Sequence, residues 1–306
     1  MNNSTCINET QWSSSSFRFL VSTVVYGLVL SVGLPLNAVS LWILLRQHGL
    51  RSPCAVLMIN LAAADLLLAL SLPLRVYFYA TLKWPFGAST CTVAILLFRI
   101  NIRMSCIFIT IISVDRLLAL VFPLRSRSLR TSAFACKCCS LVWILITILC
   151  IPEGITFHRA LKSCHYMPCF EMQITNVPMT IKIGQATFLL TLLMVNIVCT
   201  VVVIVVLRRR PGGDATNVNN KMSVVLIFVV NTLFFIVFFL PFTLQILAFG
   251  KKNYDEVLRA FVCLASVNCC LDPLIYYFSL DSFWQVKGKN QTKAVCYSLS
   301  RSQERL

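Results

Sequence analysis

Seven long stretches of this chain are apolar from end to end. They cover about 19–45, 54–79, 88–121, 136–152, 180–207, 222–249 and 257–279. Each is near or above the roughly 20 residues that a helix needs to cross a bilayer. The apolarity is continuous and does not alternate. That pattern argues against the strands of a membrane barrel and for helices, which bond their own backbone groups inside lipid. The expected fold class is an all-α membrane protein, a seven-transmembrane helix bundle. Beyond the last stretch, Asp281-Ser-Phe-Trp-Gln-Val-Lys287 reads as a short interfacial eighth helix, with its aromatic rings in lipid and Lys287 wet. The chain divides into a tail at 1–18, a seven-helix unit at 19–280, and an interfacial helix with a cytoplasmic tail at 281–306.

Charge sets the orientation. Only 12% of residues are charged and 58% are hydrophobic, against about 25% charged in soluble domains. The net charge of +16 lies mostly in short connectors beside the spans, where it faces membrane lipids and not nucleic acid. One side carries Arg46, Arg51, Arg125, Arg127, Arg130, Lys137, Arg208, Arg209, Arg210, Lys221, Lys287, Lys289 and Lys293. The other has Lys83, a mixed loop with His158, Arg159, Lys162 and two acids, and a mixed loop at 250–259. The heavier basic side is expected in the cytoplasm, which puts the N-terminus outside a multi-pass protein of the plasma membrane. The glycosylation sequons at Asn2, Asn3 and Asn8 precede the first span and agree, while a fourth at Asn290 is expected to be silent. The first residues have no basic segment followed by an apolar one, so no cleavable signal peptide is read there.

Three arginines stand out inside this apolar frame. Arg99 and Arg103 lie within the third stretch, four residues apart and so on one helix face. Arg75 ends the second. An arginine at mid-bilayer depth costs from about 3 to more than 10 kcal/mol unless it faces a partner or a watery cavity. Spans two and three offer no acid at their level: Asp65 lies a few turns deeper, and Asp115 is at the inner end of the third stretch. The missing negative charge is therefore expected to arrive as an anionic ligand, bound by Arg75, Arg99 and Arg103 as a ladder. From Cys91 the two rungs of the third stretch lie roughly 12 and 18 Å along the helix at 1.5 Å per residue. Bonds to backbone carbonyls, or snorkelling by Arg75, are the plainer alternatives. Phe98, Ile102, Phe242 and Ile246, with Leu74 and Phe188, surround the arginines with apolar surface, which favours an amphipathic acid.

Other chemistry is sparse. Of fifteen cysteines, Cys54, Cys106, Cys150, Cys199, Cys263, Cys269 and Cys270 lie in spans and behave as small hydrophobes. Cys136-Lys-Cys-Cys139 lacks the second pair a zinc site needs. The three histidines, His48, His158 and His165, fall in loops with no nucleophile or metal spacing, so no enzyme and no cofactor are expected. No paired broken helices of the transporter kind are read.

The polar residues of the spans form a recognisable order. Asn37 stands in Gly-Leu-Pro-Leu-Asn-Ala-Val, Asp65 in Asn60-Leu-Ala-Ala-Ala-Asp, and Asp115-Arg116 ends the third span. Trp143 lies in the fourth, Pro241 in Phe-Phe-Leu-Pro, and Asp272-Pro-Leu-Ile-Tyr276 closes the seventh. Together, over about residues 18–290, they resemble the rhodopsin-like (class A) G-protein-coupled receptors. The resemblance implies an agonist outside, a heterotrimeric G protein inside, and a sodium ion as allosteric ligand held by Asp65, Asn37, Ser105, Asn268 and Asp272. It implies that Asp115 holds Arg116 at rest, and that Pro241, Phe239, Pro273 and Tyr276 form the switch in spans six and seven. It also implies a Cys91–Cys169 disulfide. Cys6 and Cys164 are then the remaining outside cysteines and are expected to pair, and Cys296 is a candidate palmitoylation site.

Finer strings narrow the branch. Ser71-Leu-Pro-Leu-Arg75, Lys83-Trp-Pro-Phe-Gly, Phe122-Pro-Leu-Arg and Asn268-Cys-Cys-Leu-Asp-Pro resemble the nucleotide, lysophospholipid and small-carboxylate receptors, above all the subtype-five group of the lysophosphatidic acid receptors. The function so implied is a receptor for an anionic amphipathic lipid such as lysophosphatidic acid. A small carboxylate or nucleotide, or a weakly signalling receptor, is the alternative. Departures from the family pattern bear on that last option: Leu117 after Asp-Arg, Thr191 where the family has a proline, Cys199 for a tyrosine, Lys221 for an acid, and Phe238 for a common cysteine.

Overall fold

The computed structural model describes residues 16–126, 130–163, 169–171, 179–209, 215–247 and 257–274. Seven helices in it are long and apolar enough to cross a membrane. They are α1 (Ser16–Ile43), α2 (Pro53–Thr81), α3 (Gly87–Val121), α4 (Ser132–Lys162), α5 (Met179–Arg209), α6 and α7 (Val257–Leu274). The α6 helix has three parts: Ala215–Phe234, a wide turn at Phe235–Phe239, and Leu240–Leu247. The expected eighth helix lies outside the described residues.

Local chemistry sets the helix ends. Pro53 starts α2, where its missing N–H costs nothing. Thr131 caps α4 by accepting from the Phe134 N–H at 3.2 Å. Leu82 ends α2 in the left-handed conformation, with its N–H on the Phe78 carbonyl. The wide turn in α6 comes immediately before Pro241. Proline donates no hydrogen bond and crowds the carbonyl four residues back. The Leu240 N–H therefore bonds the Phe235 carbonyl, five residues away.

The largest departure from the sequence reading is at the end of α4. The fourth span does not end at 152, because α4 runs on to Lys162 with Pro152 inside it. The string Pro152-Glu-Gly looks like a helix stop. In the bundle the helix continues, and the Thr156 hydroxyl donates to the Pro152 carbonyl at 2.8 Å. This extension brings Glu153 into the helix.

The α3 helix is the long central one, packed against α2, α4 and α5. Two glycines allow close approaches around it. A Cβ on Gly154 would lie 2.7 Å from Leu96 Cδ1, so glycine lets α4 settle against α3. A Cβ on Gly33 would lie 2.9 Å from Cys269 Sγ, which fixes the α1–α7 distance. Nearby, Asn37 donates to the Cys269 carbonyl at 2.7 Å. Gly33→Val is expected to lower stability by about 1–3 kcal/mol through overpacking. Gly27→Val, where nothing lies within 4 Å, is expected to change little. Thermal denaturation of the two purified variants checks the contrast.

Candidate functional site

Arg75 is held by aromatic faces. It is 4% exposed, and its guanidinium lies 4.3 Å from the Phe98 ring centre, 4.5 Å from Phe170 and 5.4 Å from Tyr26. Tyr79 stacks on Tyr26 at 5.6 Å, and Trp84 meets Phe170 edge-on at 5.5 Å. These rings offer negative π faces to the cation. Among the described residues no carboxylate pairs with Arg75, and its Nε is buried without a hydrogen-bond partner.

Arg99 and Arg103 do not extend this group into a ladder of free cations. Both turn to α4, where they meet Glu153. Arg99 Nη1 donates to Oε2 at 3.1 Å, and Arg103 Nη2 reaches Oε1. Arg103 also approaches Cys150 Sγ at 2.8 Å, and Arg99 lies over the Phe157 ring at 4.7 Å. The expectation that a ligand supplies the missing charge for all three arginines is therefore corrected: an acid of α4 serves two of them. Arg99 is the wetter of the two, with its side chain 34% exposed.

A second acid lies near Arg75. Glu171 follows Phe170 and is 3% exposed. Its Oε2 accepts from Arg18 of α1 at 3.0 Å and from Arg259 of α7 at 2.8 Å. The segment is fixed by the disulfide of Cys169 to Cys91 of α3, with the two Cα atoms 5.6 Å apart. Three helices are thus tied over the aromatic box by Cys169-Phe-Glu171. Phe98 and Ile102 are buried in α3, and Phe242 is half-buried in α6. The side chain of Ile246 lies outside the described residues.

A polar pocket lies deeper, between α1, α2, α3 and α7. Asn37, Asp65, Ser105, Asn268 and Asp272 are all buried there. Asp65 Oδ1 accepts from Asn101 at 2.9 Å, and Asp272 Oδ2 accepts from Asn268 at 2.8 Å. Five oxygens remain buried with no hydrogen-bond partner: Asp65 Oδ2, Asp272 Oδ1, Asn37 Oδ1, Asn268 Oδ1 and Ser105 Oγ. Buried acceptors left unmet cost free energy. Such a donor set, all oxygen with two carboxylates, fits a hard cation and water.

At the opposite end of α3, Asp115 is gripped by Arg130, which donates from Nε at 2.7 Å and from Nη2 at 3.2 Å. That partner differs from the expected one, Arg116, whose Nη2 lies 2.8 Å from Cys54 Sγ of α2. Phe239 and Pro273 are buried, and Pro241 is half-buried beside the wide turn. Asn2, Asn3, Cys6, Asn8, Cys164, Tyr276, Asn290 and Cys296 lie outside the described residues.

Residues 36–276 match the 7 transmembrane receptor (rhodopsin family). The chain belongs to that family: it is a multi-pass membrane receptor and not an enzyme. Among its relatives is lysophosphatidic acid receptor 5 of Bos taurus, 37% identical over 85% of this chain and 76% of the relative. Lysophosphatidic acid receptor 4 of Homo sapiens is 33% identical over 92% of this chain and 79% of the relative. The S-geranylgeranyl-glutathione receptor of Homo sapiens is 32% identical over 85% and 76%. The chain thus falls in the lysophosphatidic acid receptor branch.

Proposed function

We propose that this receptor binds an anionic amphipathic lipid, lysophosphatidic acid or a close analogue, at the disulfide end of the bundle and activates a heterotrimeric G protein at the other. The observation that carries the reading is Arg75, a buried cation that no described carboxylate neutralises. An anionic head accepts charge-assisted, bidentate hydrogen bonds from such a guanidinium. Phe98, Ile102 and Phe242 supply apolar wall for a chain. A nucleotide needs polar handles for base and ribose, whereas the groups that surround Arg75 are aromatic. Arg18 and Arg259 flank the same mouth but share Glu171. The basic connectors support an orientation with the disulfide end outside the cell and the Asp115–Arg116 end in the cytoplasm.

The test is a ligand panel on cells, with several Gα reporters and surface expression measured in parallel. Lysophosphatidic acid is expected to act at lower concentration than free fatty acids, small carboxylates or nucleotides. A response to a nucleotide or small carboxylate with none to lysophospholipid overturns the lipid reading. No response to any of them favours a weakly signalling receptor.

The polar pocket would hold sodium through Asp65 and Asp272, with Asn37, Ser105 and Asn268 completing the oxygen set. Bound there, the ion supplies positive charge that compensates the buried carboxylates and favours the resting conformation. A ligand of one state shifts the equilibrium toward it. Asp65→Asn is therefore expected to abolish the sodium dependence of agonist affinity. Radioligand competition in sodium and in an organic cation buffer measures this. Equal sodium dependence in wild type and variant contradicts the assignment.

A further inference from the structure

The polar pocket carries more negative charge than one sodium ion cancels. Asp65 of α2 and Asp272 of α7 are both fully buried, and among the described residues neither takes part in an ion pair. Each carboxylate accepts from a neutral amide. Asn101 Nδ2 reaches Asp65 Oδ1 at 2.9 Å, and Asn268 Nδ2 reaches Asp272 Oδ2 at 2.8 Å. An amide donor steadies a carboxylate and leaves its charge in place. A buried charge is costly unless it is paired. A single monovalent ion leaves one of these two carboxylates unbalanced.

The neutral members point the same way. Asn37 Nδ2 donates to the Gly33 carbonyl at 3.1 Å and to the Cys269 carbonyl at 2.7 Å. The amide nitrogens of Asn37, Asn101 and Asn268 are thus all engaged, and what remains without a partner is oxygen. Asn37 Oδ1, Asn268 Oδ1 and Ser105 Oγ are left beside Asp65 Oδ2 and Asp272 Oδ1. The residues that carry them are at most 2% exposed. Water supplies donors to such a set but no charge. No group of three His, Cys, Asp or Glu side chains that could hold a metal occurs among the described residues, so neutral oxygens have to complete any coordination. That argues against zinc, which takes nitrogen and sulfur. Magnesium demands near-ideal octahedral geometry and gives up its waters reluctantly, whereas calcium takes about six to eight carboxylate, amide and water oxygens in a flexible arrangement.

We infer that this pocket takes calcium in preference to sodium, with Asp65 and Asp272 as its charged ligands and Asn37, Ser105 and Asn268 as neutral ones. The inference rests on the cation reading of the pocket above, and on the charge count for the choice of ion. Asp272 is the residue that sets the preference, because with a neutral side chain there the pocket would hold one negative charge and match a monovalent ion.

The test uses purified full-length receptor in nanodiscs of phosphatidylcholine, whose head group has no net charge. Calcium, magnesium or sodium chloride is titrated against choline chloride at constant ionic strength, and the thermal unfolding midpoint is read, because an ion that binds the folded state raises it. Calcium is expected to act at concentrations at least about tenfold below those of sodium, since the charge count of a ligand set moves calcium affinity over decades. Magnesium is expected to need more than calcium. Asp272→Asn is expected to remove the calcium advantage and to keep the response to sodium, whereas Asp65→Asn loses both. Equal potency of calcium and sodium in the wild type overturns the inference and leaves the sodium reading standing. So does a calcium advantage that survives in Asp272→Asn, which marks calcium bound elsewhere. Magnesium acting at the concentrations of calcium overturns the choice of calcium. A calcium shift without any sodium shift, lost in both variants, overturns the sodium reading and keeps this one. No shift with any ion overturns both. If Asp272→Asn yields no folded receptor, Ser105→Ala takes its place, since it removes one neutral oxygen and no charge. It is expected to raise the calcium concentration needed, and an unchanged calcium response in it overturns the inference.

Discussion

Glu153→Leu is expected to remove most of the receptor from the cell surface. The substitution leaves two arginines without their acid inside a membrane helix bundle. Breaking a buried ion pair by removing one partner costs about 3–5 kcal/mol, chiefly from the charge left behind. The lower end applies here, because Arg99 is one-third exposed and reaches water. Even about 3 kcal/mol is a large share of a protein's stability. The reciprocal change is milder. Arg103→Met leaves Glu153 its bond to Arg99 at 3.1 Å, so no charge is stranded. Combining Arg103→Met with Glu153→Leu is therefore expected to recover surface expression relative to Glu153→Leu alone, a non-additive result. Flow cytometry of tagged variants, with total protein measured in parallel, reads both. Normal surface expression of Glu153→Leu contradicts the structural role and returns Arg99 and Arg103 to the ligand.

Arg75→Ala is expected to have the opposite signature, with normal expression and lost potency. The side chain is packed by Tyr26, Phe98 and Phe170, and no described acid depends on it. Removing it deprives an anionic head of one or two charge-assisted hydrogen bonds, each worth about 1.5–3 kcal/mol. The agonist concentration for half response is expected to rise at least about tenfold. Arg75→Lys keeps the charge and loses the planar fork, so it is expected to weaken binding as well, though less. Dose–response curves normalised to surface level decide. Unchanged potency in Arg75→Ala at normal expression removes the anionic-ligand reading.

These two contrasting variants show what the sequence made legible and what it hid. The seven helices follow from continuous apolarity, which in lipid leaves few alternatives. The residues of the polar pocket were legible through the family resemblance, which singles out Asn37, Asp65, Ser105, Asn268 and Asp272. Asn101 was missed although a signal existed: it stands four residues before Ser105, on the same face of α3. Glu153 was hidden by its neighbours, since Pro152 and Gly154 read as the end of a helix. The helix instead continues, and the glycine lets α4 press on Leu96. Glu171 and its partners Arg18 and Arg259 carried no periodic signal at all. They meet only because the Cys91–Cys169 bond fixes the loop residue between α1 and α7. Arg130 as the partner of Asp115 was equally invisible, since a basic residue in an inner connector reads first as a topology mark. Charge patterning identified the cations, and tertiary packing decided which were already satisfied.

The most direct measurement of the central claim uses purified receptor in nanodiscs, purified heterotrimeric G protein and lysophosphatidic acid. Guanine nucleotide exchange is followed for the wild type and for Arg75→Ala. The account predicts lipid-dependent exchange in the wild type and a curve displaced to at least about tenfold higher lipid in the variant. Exchange that lysophosphatidic acid does not stimulate, or that it stimulates equally in both proteins, contradicts the account.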